Sequence, residues 1–482
     1  MIIYVAVGGL LTASLLSMVF KNRVVGAAAS VMAHGLGLIG AVVLCLEVAS
    51  GGDYIPSEFT LVDPLSALTV LVISIVGLAA SVYAVPYLNR EVAKGIIGPT
   101  RFRQYFGLVN LFMACMLLSV TSANPIAAWI FLEATTLSTA FLISFYDKPS
   151  TIEAAWKYLI INSTGLLLGF FGTLLFFSAT SRAGLDGFVT WPILLDHAQS
   201  TDPAVIKVAF IFVLVGFGTK VGLVPMHAWK PDAYSKSPAP VGALLSGALL
   251  PVALVTILKF KVITDTVVGG AFSSHLLMVL GVLSLVIAAF SILTIRNYKR
   301  MMGYSSIEHA GLMALGFAFG GLGAFAAILH LIYHSLIKAG LFFAAGNLRL
   351  SFHSARIMNV RGALKVVPVT AGLLMLLFLA ATGLPPFGIF MTELYTFGAG
   401  VKEYPIVTIV ALLAVALVFV GFFRQVSAML FGTAPEGSQE VESNKWLLIP
   451  PVVLLLLVVV LSFYLPSPLL DLINEAVRRY DL

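Results

Sequence analysis

Charge is scarce in this chain. Only 10% of its 482 residues are Asp, Glu, Lys or Arg, against roughly a quarter in ordinary soluble domains. Apolar residues make up 60% and mean hydropathy is +1.02, which excludes a water-soluble globular protein. Cysteine is nearly absent: Cys45 and Cys115 both lie in apolar segments and form no CxxC. A disulfide framework, an iron–sulfur cluster and a zinc site are therefore excluded. Long polar stretches are missing too. The longest, at residues 50–62, 88–104, 178–204, 349–365 and 432–444, are too short for a soluble catalytic domain, and no long extension follows the last apolar run. The first apolar run has no basic segment before it, since Lys21 and Arg23 come after it, so it reads as a span and not a cleavable signal. The net charge of +6 does not imply nucleic acid as a partner; the lipid bilayer is the partner that composition implies.

What the chain has instead is a succession of apolar runs of spanning length, without the short alternating segments of a transmembrane barrel. The expected fold is an all-α polytopic membrane protein with about fourteen transmembrane helices. They begin near residues 2, 24, 64, 105, 125, 157, 205, 241, 274, 302, 323, 366, 406 and 446. Sorting the loops alternately puts nineteen of the 28 cations on one side and seven on the other, Arg182, Lys207, Lys259, Lys261, Lys402, Arg478 and Arg479. Lys220 and Lys338 remain inside spans. The richer side, which receives Lys230, Lys299 and Arg349 among others, is expected to be cytoplasmic, with both termini outside.

Two spans are interrupted. One carries Gly216, Gly218, Lys220, Gly222 and Pro225, the other Gly383, Pro385, Pro386, Gly388 and Glu393. Paired breaks of this kind point to inverted repeats around a midplane ion site. Glu133 and Lys220 are 87 residues apart, His309 and Glu393 84. The expected organisation is residues 1–104 as helices 1–3, 105–265 as a first repeat of helices 4–8, 266–430 as a second of helices 9–13, and 431–482 as helix 14 with a short tail. Helices 7 and 12 are the broken ones.

An ionisable group at the bilayer centre costs several kcal/mol, so each one is a functional candidate. Glu133 sits in mid-span, where a short carboxylate cannot snorkel; the alternative is an interhelical hydrogen bond. Lys220 adjoins a break whose freed carbonyls are expected to hold its ammonium. At about 10 Å and an effective dielectric near 20, the two charges would attract by roughly 1.7 kcal/mol, enough for each to influence the other's protonation. His330, His334 and Lys338 follow one another at i, i+4 and i+8, one stripe along a helix that suits a proton relay. Satisfied core histidines are the alternative, and metal or haem ligation a weaker one. His309, beside Glu308, is placed to receive a proton; the alternative is a packing histidine paired with Glu308. Glu393, after the second break, reads as the end of the relay, with Lys338 as its donor.

Taken together, the segments WIFLEATTLSTAFLISFY, GTKVGLVPMHAWKPDAYSKSPAPVGALLSG, YKRMMGYSSIEHAGLMALGF, LHLIYHSLIKAGLFFAAGN and GLPPFGIFMTE strongly resemble the antiporter-like subunits of respiratory complex I, membrane-bound hydrogenases and multi-subunit cation/proton antiporters. The resemblance covers roughly residues 60–430. The wording YDKPSTIEAAWKYLIINSTG, PAPVGALLSG and FFAAGN looks most like the F-type subunit of group 4 nickel–iron hydrogenases of the formate hydrogenlyase type. The resemblance implies a fifth-helix carboxylate at Glu133, its lysine partner at Lys220, a central relay of His330, His334 and Lys338, and an exit residue at Glu393. It also implies a hydrophilic axis along the membrane plane. This chain would hold no cofactor; a nickel–iron centre and iron–sulfur clusters would belong to partner subunits. Those partners would be other antiporter-like and small membrane subunits and a hydrogenase-type soluble arm.

There is one departure. Where complex I relatives carry a lysine or histidine on the eighth helix, this sequence places Pro251, which cannot titrate and bends its helix. The step from Lys220 to His330 would then need water, with Thr219, Ser246 and Thr256 as candidate partners. The sequence also has Lys230 and Tyr234 in a loop where leucine and histidine are usual, a difference to which little weight attaches because that loop is expected to be extramembrane. Three functions follow: proton or sodium translocation in a redox-driven complex of a prokaryotic cytoplasmic membrane, a secondary cation/proton antiporter subunit, and a non-conducting scaffold.

Overall fold

The computed structural model describes residues 1–181, 188–436, 438, 442 and 444–480; Arg182, sorted above to the outer side, lies outside them. Long helices dominate the described residues, and their starts agree with the apolar runs to within eight residues, the widest gap being 149 against an expected 157. Among the described residues, eleven helices are long and apolar enough to cross a membrane. Three further crossings would complete the expected fourteen: Tyr298–Phe319, the interrupted pair Pro368–Ala381 and Gly388–Gly400, and Ile449–Phe463. The first is diluted by Lys299, Arg300, Glu308 and His309, and the others are short.

Burial grades from rim to centre. In the helix Pro405–Leu430 only 33% of the most apolar window is buried, so Ile409, Leu413 and Val420 face outward. In Leu322–Phe352 the figure is 94%, and in the segment Ala239–Val268 it is 100%. Helices hydrophobic all round belong in such a core. The two that carry Ser246, Pro251, His330, His334 and Lys338 are thus the two most shielded from lipid.

Small residues bring the helices of the first half together. A Cβ at Gly216 would lie 2.4 Å from the Cα of Gly169, so glycine at both positions lets Pro149–Ser181 and Pro203–Val221 touch backbone to backbone, as small-residue interfaces do in membranes. Pro251 is absorbed without a break. It stands in the first turn of Leu250–Val268, directly after a π-helical turn, Leu245–Leu249, where its missing N–H is tolerated.

Both expected interruptions are present. Pro203–Val221 ends at Gly222, with φ +83°, and the chain resumes helix at Trp229–Lys236. Pro368–Ala381 gives way to Gly383, with φ +64°, before Gly388–Gly400. Each positive-φ glycine is followed by leucine and, three residues on, by proline.

Two features were not anticipated. Tyr54–Ser57 and Thr60–Val62 form a small antiparallel hairpin. Ser467–Tyr480 is an amphipathic helix bent 74° from Ile449–Phe463. Arg479 binds Asp53 through two oxygens at 2.6 and 2.9 Å, and the Tyr480 hydroxyl donates to Asp63. Lys259 and Lys261, expected in a loop, belong to Leu250–Val268 and are buried in ion pairs with Asp63 at 3.0 Å and Asp265 at 2.5 Å. The apolar run ends near Phe260, but two carboxylates allow the helix to continue inside the protein.

Candidate ion-conducting site

Glu133 lies on Pro125–Ile143, whose start is fixed by Pro125 and by the Asn124 side chain accepting from the Ala127 N–H. Its carboxylate accepts hydrogen bonds from Ser163 at 2.7 Å and from Thr136, one turn on, at 3.3 Å. Lys220 is fully buried; its ammonium donates to Thr136 Oγ1 at 2.7 Å and to the Tyr158 hydroxyl at 2.9 Å. The two charged groups therefore meet through one threonine hydroxyl. Tyr158 is held in turn by Thr139, the two hydroxyl oxygens 2.5 Å apart. Glu133 thus makes an interhelical hydrogen bond to Ser163 and is linked to Lys220 through Thr136.

The carbonyls freed at the first break do not hold Lys220. That of Gly218 is taken by the N–H groups of Gly222 and Leu223, that of Thr219 by the Trp229 indole, and that of Val221 by the ammonium of Lys230 at 2.7 Å. Lys230 is completely buried, which corrects its assignment to an exposed loop. After the break the chain turns back into the protein, so Trp229–Lys236 carries Lys230 and Tyr234 inward while Asp232 pairs outward with Arg300 at 2.6 Å. Lys299, also expected in a loop, is buried against the Ser237 carbonyl.

In the second half, Lys338 donates to Ser305, and Glu308 stands one turn beyond that serine with its carboxylate 3.6 Å from His309 Nε2. His309 Nδ1 is 2.8 Å from His330 Nε2, and His330 Nδ1 is 2.9 Å from the Thr392 hydroxyl. The His334 ring centroid is 4.9 Å from that of His309. Thus His309, His330, His334 and Lys338 form one cluster, to which Glu308 must be added. Sequence reading treated Glu308 only as a partner for His309, although an acid inside an apolar run was signal enough.

Glu393 is buried and turned back over the second break. A Cβ at Gly383 would fall 2.2 Å from its Oε2, so glycine there serves both the backbone angle and the carboxylate. His330 bonds Thr392, the residue before Glu393, and Lys338 engages Ser305 at the other end of the cluster. Buried polar atoms without a partner are uncommon. Of the twelve among the described residues, six are on Glu308, His309, His334, Ser335 and Glu393. A polar line with spare hydrogen-bonding capacity inside an apolar core is suited to passing protons.

Of the three bridging candidates, Ser246 faces across, its hydroxyl 2.8 Å from that of Ser306. Thr219 and Thr256 instead donate to carbonyls of their own helices.

Residues 122–419 match the family described as NADH:quinone oxidoreductase/Mrp antiporter, transmembrane. The chain belongs to this family and is a multi-pass membrane protein. It is 35% identical over 366 residues to a hydrogenase-4 component F homolog of Methylacidiphilum infernorum, with 75% of this chain and 76% of that protein covered. It is 32% identical over 386 residues to NADH-quinone oxidoreductase subunit N of Desulforudis audaxviator, covering 78% and 74%. In fold it resembles a chain of the membrane-bound sulfane sulfur reductase, an archaeal respiratory membrane complex, at TM-score 0.88 and 23% identity, covering 99% and 97%. A chain of the Mrp complex from Dietzia sp. DQ12-45-1b gives 0.84 at 20% identity, covering 100% and 97%.

Proposed function

We propose that this chain is the proton- or sodium-translocating antiporter-like subunit of a redox-driven complex of the group 4 hydrogenase or complex I type. The observation that carries the reading is the line of half-buried Glu133 and buried Lys220, His309, His330, His334, Lys338 and Glu393, with a helix break beside Lys220 and another beside Glu393. Isolated charges cost too much in lipid to persist without use or partner. Here Lys220 and Lys338 are held by hydroxyls and His330 by an imidazole and a hydroxyl, and the one direct acid contact of the line among the described residues, Glu308 to His309 at 3.6 Å, is itself to a group that can titrate.

The chemistry follows from the connections. Protonation of Glu133 removes the anion that Lys220 feels through Thr136, which favours release of the lysine's proton toward the centre. In the second half, loss of the charge on Lys338 frees the imidazoles from a neighbouring cation, so His309 and His330 accept more readily. Transfer to Glu393 completes the passage. Opposite charges met through a hydroxyl make a switch that each arriving proton can reset.

In this reading the membrane is a prokaryotic cytoplasmic membrane with both chain termini outside. The fourteen crossings fall into residues 1–104, the two inverted repeats 105–265 and 266–430, and 431–482. A soluble arm with nickel–iron and iron–sulfur centres, and other antiporter-like and small membrane subunits, supply the drive. The repeated glycine, leucine and proline pattern at the two breaks supports the repeat. Purification with partners, metal analysis and ion uptake into sealed vesicles test the proposal: redox-dependent uptake that is lost in Glu133→Gln is expected, and unaltered uptake by that assembled variant would refute it.

The relationship to the Mrp antiporter family supports a second reading, a secondary cation/proton antiporter subunit. An imposed ion gradient would then drive exchange with no redox subunit present. The scaffold reading is disfavoured by the retention of so many buried charges.

A further inference from the structure

Between the Lys220 cluster and the His334–Lys338 cluster there is one more buried cation, and the route just described does not use it. Lys230 reaches the Val221 carbonyl, next in sequence to Lys220, at 2.7 Å. On its other side its ammonium stands 5.8 Å from the centre of the Tyr234 ring, and Tyr234 leads through the Leu245 carbonyl to the Ser246–Ser306 pair beside Ser305 and Lys338. We propose that Lys230 is the proton-carrying group at the middle of the line, handing protons between the Lys220 cluster and the His334–Lys338 cluster; this rests on the reading of the chain as an ion conductor.

Three features of the surroundings support a carrier over a structural tether. An ammonium has three donors, and Lys230 spends one on Val221; its Nζ stands 5.8 Å from the centre of the Tyr234 ring, a contact that steadies the charge without taking a proton. Room has been made for it: a Cβ at Gly222 would lie 2.6 Å from Lys230 Cδ and 3.2 Å from Nζ. Beyond it run hydroxyls. Tyr234 donates to the Leu245 carbonyl, next to Ser246, and Ser246 meets Ser306, the neighbour of the Ser305 that holds Lys338. The π-helical turn Leu245–Leu249 puts Ser246 at this point, and such turns are frequent at functional sites. Pro251, on the same segment, offers no titratable group. The titratable groups on the elements around Lys230 include Lys220 on Pro203–Val221, Tyr158 on Pro149–Ser181, Glu308 and His309 on Tyr298–Phe319, His334 and Lys338 on Leu322–Phe352, and Tyr234 on its own helix. Two ammonium groups repel, so Lys230 passes a proton on more readily once Lys338 has emptied.

The test uses the assembled complex in sealed vesicles, with ion uptake per electron measured across pH for Lys230→Met, Lys230→Arg, Lys230→His and, in parallel, Lys220→Met. Lys230→Met is expected to lower uptake as far as Lys220→Met does. Lys230→Arg keeps a cation but holds its proton, so it should remain blocked. Lys230→His should conduct, with the alkaline limb of its pH profile moved at least one unit toward acid, because imidazole titrates about four units below an ammonium. A purely structural lysine would not move that profile. Normal uptake in Lys230→Met or Lys230→Arg while Lys220→Met is blocked would overturn the assignment of Lys230 alone. Normal uptake in Lys220→Met as well would overturn the conduction reading, and the assignment with it. Should Lys230→Met fail to assemble, the profile of Lys230→His decides: an unshifted profile at normal uptake rejects the proposal.

Discussion

Lys220 and Glu133 are joined by the hydroxyl of Thr136, which receives a hydrogen bond from the ammonium at 2.7 Å and faces the carboxylate at 3.3 Å. A direct buried ion pair would be hard to separate once formed. A hydroxyl between the charges transmits their interaction and still lets either partner change protonation without leaving an unpaired ion in contact.

Removal of that hydroxyl alone is the sharpest probe of the link. In Thr136→Val the shape is kept, and about 1.5–3 kcal/mol of hydrogen bonding to a charged group is lost, so transport should slow by roughly tenfold to a hundredfold. Vesicle uptake measured on assembled complex checks this. Uptake at the wild-type rate would mean the two charges communicate by another path.

Glu133→Gln and Lys220→Met should each suppress transport while assembly stays intact, and the double variant should be little worse than either. Residues acting as one unit are non-additive. Rates that multiplied across the two substitutions would show Glu133 and Lys220 to be independent.

Helix placement and the burial of Lys220, His309, His330, His334, Lys338 and Glu393 were legible in the sequence, because both follow from local physics: apolar length and a polar group set well inside it. The position of Lys230 was not. WKPDAY is polar and follows a proline, so it reads as loop, and only the return of the chain after Gly222 carries it inward. The same holds for Lys259, whose burial depends on Asp63, nearly two hundred residues earlier in the chain. Thr136 was visible in the sequence but unremarkable; its role exists only once Lys220 is set against it. Pro251 was read as a bend, yet a π turn and a first-turn position absorb it.

The Lys259–Asp63 pair, at 3.0 Å and buried on both sides, should matter for stability more than for transport. Lys259→Met leaves a carboxylate buried without its cation, at a cost of about 3–5 kcal/mol, although the Ser66 N–H and Tyr480 hydroxyl still bond it. Thermal unfolding of the assembled protein should shift down clearly. Adding Asp63→Asn should restore part of the loss, and a double variant as unstable as the single would argue against the charge as the cause.

Gly383 should tolerate no side chain without disturbing Glu393. Alanine there must adopt φ near +64°, at about 1–2 kcal/mol, and its Cβ would displace the Glu393 carboxylate. Gly398, on the same helix as Glu393, has open space around it and serves as the control. Gly383→Ala is expected to impair uptake more than assembly, while Gly398→Ala does neither; equal behaviour would separate the carboxylate's position from function.

The end of the proposed relay is the remaining choice, and geometry favours Glu393 over an acid of an exposed loop. Glu393 is buried over the second break, one residue from the threonine that His330 bonds at 2.9 Å, whereas Glu403 is exposed. In the proposed relay, protons on His309 and His330 would have a carboxyl within one residue of their last hydroxyl. Glu393→Gln keeps size and hydrogen bonding but cannot titrate, so redox turnover should remain measurable while uptake per electron falls. His330→Gln should give the same phenotype by breaking the preceding link. Glu403→Gln should leave uptake unchanged. Equal losses from Glu393→Gln and Glu403→Gln, or normal coupling in Glu393→Gln, would place the exit elsewhere and leave the buried carboxylate at Gly383 with a packing role only.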